Sequence, residues 1–149
     1  MAQICKEMYS SDKMDWGTPQ ALYDQLDDEF HFNLDAAASD ENHKCKNYYT
    51  SYEDGLNSPW SSSTFCNPPY GRSVGSWVHK AYMESLKGNT VVMLLFARTD
   101  TAWFHDWVHG KAEIRFLRGR IKFDGAKYNA PFPSMIVIYR GQTQEGIKL

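Results

Sequence analysis

Thr90-Val91-Val92-Met93-Leu94-Leu95-Phe96 restricts the fold more than any other segment of the chain. Seven residues is strand length, and a run without polar alternation has to be covered on both faces. Helices on either side of a parallel sheet supply that cover, so the run is read as a central parallel strand. Val74, Trp77, Val78, Ala81, Tyr82 and Leu86 recur at intervals of three and four just upstream, and Gly88 follows as a C-cap. That spacing predicts a helix from Val74 to Leu86. Thr18 followed by Pro19 reads as an N-cap with proline at the first helical position. Leu22, Leu26 and Phe30 extend the apolar face of a helix over about 19–29. Short strands are expected at Phe30–Leu34, ending at Asp35, and at Thr64–Cys66, Ile114–Leu117 and Met135–Tyr139, with a short helix at Trp103–Val108. The region from Asn42 to Pro59 is rich in Asn, Ser, Tyr and Gly and is expected to be irregular. Strands alternating with helices make an α/β sheet, whose ligands sit beyond the carboxyl ends of the strands. The residues just past Leu34, Cys66 and Phe96 are therefore the first places to look for chemistry.

The 149 residues are read as a single domain, 1–149, with a core over about 16–140, and a monomer is expected. No apolar run approaches the roughly 18 residues of a membrane span, and the polar first fifteen residues hold no signal-peptide core, so a cytoplasmic location is expected. Cys5, Cys45 and Cys66 are odd in number and far apart, which excludes a disulfide framework or a Cys-x-x-Cys metal hook. His105 and His109 have a metal-like spacing of four, but no third ligand accompanies them and no metal is assigned. The net charge of −2 hides an asymmetry: residues 1–97 carry 7 Lys or Arg against 13 Asp or Glu, whereas residues 98–149 carry 9 against 5. Lys111, Arg115, Arg118, Arg120, Lys122 and Lys127 crowd one stretch that either contacts phosphates or forms a solvated basic face.

Asn67-Pro68-Pro69-Tyr70 follows the predicted strand end at Cys66. Two prolines stiffen the backbone, so the Asn67 side-chain oxygen and the Pro68 carbonyl can point the same way. A planar amino group, such as the exocyclic NH2 of a base, can donate one hydrogen bond to each. Held in that way, its nitrogen can pyramidalise and present a lone pair to an electrophilic methyl group, with Tyr70 stacking on the flat substrate. For a base in a duplex this requires flipping out of the stack.

These residues resemble the phage-type, Dam-like DNA adenine methyltransferases. The resemblance covers Trp16-Gly17-Thr18-Pro19, Leu34-Asp35-Ala36-Ala37, Asp54-Gly55-Leu56, Asn67-Pro68-Pro69-Tyr70-Gly71-Arg72, the Trp77 to Ala81 helix, the Leu94 to Thr101 segment, Gly119-Arg120-Ile121-Lys122-Phe123 and Pro131-Phe132-Pro133-Ser134-Met135. It implies a compact, truncated Rossmann-like fold and S-adenosylmethionine as cofactor. It also implies DNA adenine as substrate, with modification of viral or prophage DNA against restriction as a role. Asn67, Pro68, Pro69 and Tyr70 become the catalytic set. Trp16, Thr18, Pro19, Asp35, Ala36, Ala37, Asp54 and Asn67 become the cofactor set, with Asp54 or Glu53 the nearest acidic partner for the cofactor ribose. Arg72, Arg118, Arg120 and Lys122 become the DNA contacts. Similar tetrapeptides occur in methyltransferases acting on RNA adenine or protein glutamine, and a non-catalytic nucleic-acid-binding relative is a further alternative.

Asp35-Ala36-Ala37-Ala38 stands where a glycine-rich turn is usual. Small alanines permit close approach, and Asp35 either meets a ligand ammonium group or caps the strand end. Only 32 residue steps separate Asp35 from Asn67, too few for two complete crossovers of about 10–12 residues each with their strands and loops. One βα unit is therefore expected to be missing or reduced.

Overall fold

A computed structural model describes residues 17–142 of the chain. Its strands are β1 (Leu34–Asp35), β2 (Ser63–Cys66), β3 (Thr90–Phe96), β4 (Glu113–Phe116) and β5 (Ser134–Tyr139), in one sheet of order β1-β2-β3-β5-β4. Two helices, α1 (Gln20–Phe30) and α2 (Val74–Leu86), a 3-10 turn at Gly55–Asn57 and a π-helical turn at Phe104–Val108 complete the described elements.

β3 lies at the centre, where its sequence requires, and Val91 through Leu95 are all 0% exposed. Successive strand residues face opposite ways. Val91, Met93 and Leu95 accordingly join Trp77, Val78 and Ala81 of α2 and Phe104 and Val108 of the π turn. Val92, Leu94 and Phe96 join Tyr23 and Leu26 of α1 together with Phe65 and Phe123. β5 splits in the same manner, with Met135, Val137 and Tyr139 on the first side and Ile136 and Ile138 on the second. Truncating one such buried residue to alanine costs about 2–5 kcal/mol.

The sheet is mixed, with four of its five strands running one way, as the expectation of a mostly parallel sheet requires, and β5 running against them. β1 and β2, and β2 and β3, pair in parallel, whereas β5 is antiparallel to both β3 and β4. Since β5 reverses the direction twice, β1, β2, β3 and β4 all run the same way. Their carboxyl ends, at Asp35, Cys66, Phe96 and Phe116, share one edge of the sheet.

Two boundaries differ from the sequence reading for physical reasons. Residues 30–33 form no strand. Phe30 ends α1, and His31 adopts a left-handed conformation with its N–H on the Asp27 carbonyl at 2.8 Å. The aromatic alternation at Phe30 and Phe32 serves a ring cluster instead, with the two rings stacked 6.0 Å apart and Phe32 5.4 Å from Phe65. At the other end of α1 the N-cap is Pro19, not Thr18, and no side chain caps the helix. The segment 36–62 between β1 and β2 holds no α-helix, in keeping with a reduced crossover. Residues 47–49 instead pair along the outer edge of β1, with Asp35 N–H on the Asn47 carbonyl at 3.0 Å and Tyr49 N–H on the Asp35 carbonyl at 2.9 Å.

Glu84 ties α2 to the start of β2 and to the α2–β3 turn. Its carboxylate is buried and accepts from Lys80 Nζ at 2.9 Å, Lys87 Nζ at 3.1 Å, Asn89 Nδ2 at 2.9 Å and the Trp60 N–H at 3.2 Å. Burial alone would raise its pKa, but the bonds from Lys80, Lys87 and Asn89 outweigh it and hold the carboxyl below its usual range. By contrast, the bidentate Arg115–Glu29 pair at 2.7 Å between β4 and α1 is solvent-exposed and screened. Glu84→Ala is expected to lower stability by about 3 kcal/mol in urea unfolding, and Arg115→Ala by less than about 1 kcal/mol.

Candidate active site

Asn67 begins the extended segment that leaves β2, and Pro68 follows it into a buried position. The Asn67 amide is pinned from two sides. Its Nδ2 donates to Thr18 Oγ1 at 3.1 Å, and its Oδ1 accepts from the Tyr70 hydroxyl at 3.2 Å. Thr18, expected as a helix cap, is 2% exposed, and its hydroxyl oxygen accepts the Asn67 amide N–H across 49 residues of sequence.

Tyr70 is placed differently from the expectation that it stacks on substrate. Its ring is 4% exposed and lies 4.2 Å from Phe96 with a 10° interplanar angle. Phe123 meets it edge-on at 5.7 Å. In this arrangement Tyr70 is a wall of the second core cluster that holds the Asn67 oxygen, and its ring face is spent on Phe96.

A cleft of about 750 Å³ opens at this edge of the sheet, within the size range of small-molecule sites. It brings together Thr18, Asp35, Ala36, Ala37, Asp54 and Asn67 of the predicted cofactor set, and Pro69 of the tetrapeptide. Pro19 sits at the start of α1 and does not line it. Trp16 lies outside the described residues. The sequence reading missed Lys44 and Tyr49, which also line the cleft and carry no motif signal of their own, and Trp77, from the helical segment that the resemblance covers, lines it too. Asp54 has a left-handed backbone, φ 58°, and receives Asn57 Nδ2 on its carboxylate at 2.6 Å. Glu53 accepts from the Thr50 N–H and hydroxyl, so it braces the turn beside the cleft.

Asp35 is 4% exposed. Its carboxylate accepts from the Lys44 N–H at 3.0 Å and the Ala37 N–H at 3.4 Å, so the strand-end cap and the cleft wall are one residue. Burial pushes its pKa up to about 6 against those two bonds. With Asp40, Glu41 and Asp54 also on the wall and Lys44 opposing them, the cleft favours a cation.

The basic residues divide. Arg115 is committed to Glu29 and Glu113, which removes it from the phosphate-binding candidates. Arg72, Arg118, Arg120 and Lys122 are exposed at the carboxyl edge, and Arg120 also donates to the Pro131 carbonyl at 2.8 Å. Gly119–Phe123 is loop rather than strand edge, and paired backbone bonds between Asp124 and Gly17, at 3.2 and 2.9 Å, dock it beside Thr18. His105 gives one ring nitrogen to the Thr99 carbonyl at 2.8 Å. No group of three metal-ligating side chains occurs among the described residues, and none of their helices is long and apolar enough to cross a membrane.

Gly55 explains why the crossover can pass so close to β1. A Cβ there would lie 2.2 Å from the Ala36 carbonyl oxygen and 3.1 Å from the Trp77 ring, so only glycine lets the two loop segments meet. Gly55→Ala is expected to cost about 1–3 kcal/mol in thermal or urea unfolding and to displace the Ala36 side of the cleft, weakening ligand binding more than stability alone explains.

A family model described as DNA N-6-adenine-methyltransferase (Dam) matches residues 6–148. The chain is 33% identical over 118 residues to a DNA N-6-adenine-methyltransferase of Escherichia phage T1, covering 76% of this chain and 49% of the relative. The same identity and length relate it to a DNA N-6-adenine-methyltransferase of Haemophilus phage HP1, covering 76% of this chain and 68% of the relative. The chain thus spans about half the length of the first relative and about two thirds of the second. The family match runs across nearly the whole sequence, and the chain belongs to the DNA N-6-adenine-methyltransferase (Dam) family.

Proposed function

We propose that this chain transfers a methyl group from S-adenosylmethionine to the exocyclic amino nitrogen of adenine in DNA, on a truncated Rossmann-like fold. The observation that carries the reading is the pairing of a fixed amide and a buried carboxylate, Asn67 and Asp35, on one cleft at the ends of neighbouring parallel strands. The match to phage enzymes points to viral or prophage DNA in a bacterial cytoplasm as the setting.

The residues present fit the cofactor. The cleft has the volume for it, Ala36 and Ala37 permit close approach, and the acidic wall suits a ligand that carries two positive groups. When bound, S-adenosylmethionine supplies an electrophilic methyl on a positively charged sulfur. Asp35 holds the ligand's ammonium group, Thr18 and Ala36 line the methionine end, and Asp54 faces the ribose. Asn67 Oδ1 and the Pro68 carbonyl each accept one hydrogen bond from the adenine amino group. That pair fixes the nitrogen and raises its electron density without a strong base, so positioning supplies most of the rate. Thr18, which accepts the Asn67 amide N–H, and Tyr70, which donates to its oxygen, hold the plane of the Asn67 amide in place. Arg72, Arg118, Arg120 and Lys122 meet the phosphates, which makes binding salt-dependent.

Incubating the protein with labelled S-adenosylmethionine and unmethylated DNA, then digesting to nucleosides for mass spectrometry, is expected to yield N6-methyladenine. Label found only in RNA or protein overturns the assignment of DNA as substrate. Asn67→Ala is expected to lose at least about 100-fold in methyl transfer. Its cofactor affinity by calorimetry is expected to stay within a few-fold, and a wild-type rate in that variant removes Asn67 from the mechanism.

Asp35 sets a pH dependence. It is ionised above about 6 and neutral below, so affinity for the cationic cofactor is expected to fall as pH drops from 7 to 5. Asp35→Asn is expected to bind weakly and to flatten that profile. The group acts on folding in the opposite direction. Its folded pKa lies above the unfolded value of about 3.9, so the unfolded chain releases the proton first, and the apo protein loses stability from this residue as pH rises through that window.

A further inference from the structure

We propose, building on the methyl-transfer reading above, that the Lys44 ammonium binds the carboxylate at the amino-acid end of S-adenosylmethionine and so fixes which way that end lies in the cleft.

The charge pattern of the cleft sets the problem. Besides its sulfonium and its ammonium, S-adenosylmethionine carries a carboxylate. Asp35, Asp40, Glu41 and Asp54 on the wall attract the two positive groups and repel the negative one. A carboxylate taken out of water among acids needs a cation against it. Among the described residues that line the cleft, Lys44 is the only cation.

Lys44 is held in place at both ends. Its backbone N–H donates to Asp35 Oδ2 at 3.0 Å, and its Nζ donates to Gln20 Oε1 at 2.8 Å. The side chain therefore spans from the end of β1 to the first residue of α1, two positions past Thr18 on the cleft wall. Gln20 is fixed in turn, with its Nε2 on Asp24 Oδ1 at 2.8 Å. The neighbours of Lys44 are braced as well. The His43 ring stacks on Tyr48 at 3.8 Å with a 6° interplanar angle, and Cys45 is buried.

The ammonium has capacity left for a ligand. A lysine Nζ carries three donors, and Gln20, a neutral amide, takes one of them. No carboxylate among the described residues lies within ion-pair distance of the Lys44 Nζ. The acids of the wall are engaged elsewhere: Asp40 accepts the Tyr48 hydroxyl at 2.8 Å and Asp54 the Asn57 amide at 2.6 Å. Lys44 then serves both charges of an amino acid. Its N–H orients the Asp35 carboxylate toward the ligand's ammonium, and its Nζ meets the ligand's carboxylate.

Calorimetry with S-adenosylmethionine and with its decarboxylated analogue, which keeps both positive groups and lacks the carboxylate, tests this role. The wild type is expected to bind S-adenosylmethionine at least about tenfold more tightly than the analogue. Lys44→Met keeps the backbone N–H and most of the stem. It is expected to bind S-adenosylmethionine at least about tenfold more weakly than wild type does, and to bind the analogue within about twofold of wild type or more tightly. Lys44→Arg is expected to restore the affinity for S-adenosylmethionine to within about threefold. Equal losses on the two ligands, no loss on S-adenosylmethionine, or a wild type that does not distinguish them overturn the role of Lys44. A wild type that binds neither ligand overturns the cofactor reading itself, a pattern distinct from those.

Discussion

Burial of β3 from both sides governs the rest of the molecule. A strand whose residues 91–95 are completely enclosed leaves no room for polar chemistry on either face of the sheet. Buried polar groups without partners cost several kcal/mol, so functional side chains are driven to where strands end. Because β1, β2, β3 and β4 run in one direction, all four endings open on the same edge. Asp35, Asn67, Arg98 and Arg118 become neighbours of one rim through topology alone. Arg98, for example, leaves β3 and packs its guanidinium over the Phe132 ring at 4.4 Å, so a charged residue stiffens the rim where the strand stops.

The reduced crossover decides the shape of the cleft. Where a helix would have covered β1, the chain 36–62 folds against the strand by backbone bonds, including Tyr49 N–H to the Asp35 carbonyl at 2.9 Å. Trp60 closes the far side by donating its indole N–H to the Gly55 carbonyl at 2.7 Å. A loop so braced can approach more closely than a helix, provided glycine stands at position 55. The charge asymmetry of the sequence now has a spatial meaning. The acidic half supplies the cleft wall, and the basic stretch supplies the loop beside it. A cationic small molecule and an anionic polymer can meet on one rim without competing for the same side chains.

Much of this was legible in the sequence because it rests on short-range pattern. α2 runs from Val74 to Leu86 as its three-and-four spacing requires, and the apolar run forms the central strand. The cleft gathers Asp35 through Ala37 with Asn67 because both segments leave the carboxyl ends of neighbouring parallel strands. What escaped depends on contacts distant in sequence. The antiparallel return of β5 leaves no mark on a buried apolar strand, since both pairings enclose it equally. Phe30 and Phe32 alternate like a strand, yet their rings satisfy a cluster around Phe65, and the backbone between them is free to turn at His31. Thr18 has the local chemistry of a cap, and only the fold reveals that its hydroxyl belongs to Asn67.

The two hydroxyls on Asn67 show how the core and the site are joined. An amide that must present oxygen to a substrate has to keep its plane fixed, and hydrogen-bond partners in place before the substrate arrives hold it there. Thr18 does this from α1's side and Tyr70 from the core's side. Tyr70 can hold its hydroxyl there only because its ring is locked between Phe96 of β3 and Phe123 of the basic loop. The same ring therefore links three things: the central strand, the proposed DNA-facing loop and the amide of the proposed catalytic tetrapeptide. Any displacement of the loop reaches Asn67 through Phe123 and Tyr70. A tetrapeptide aromatic buried in this way ties the position of the neighbouring amide to the packing of the core.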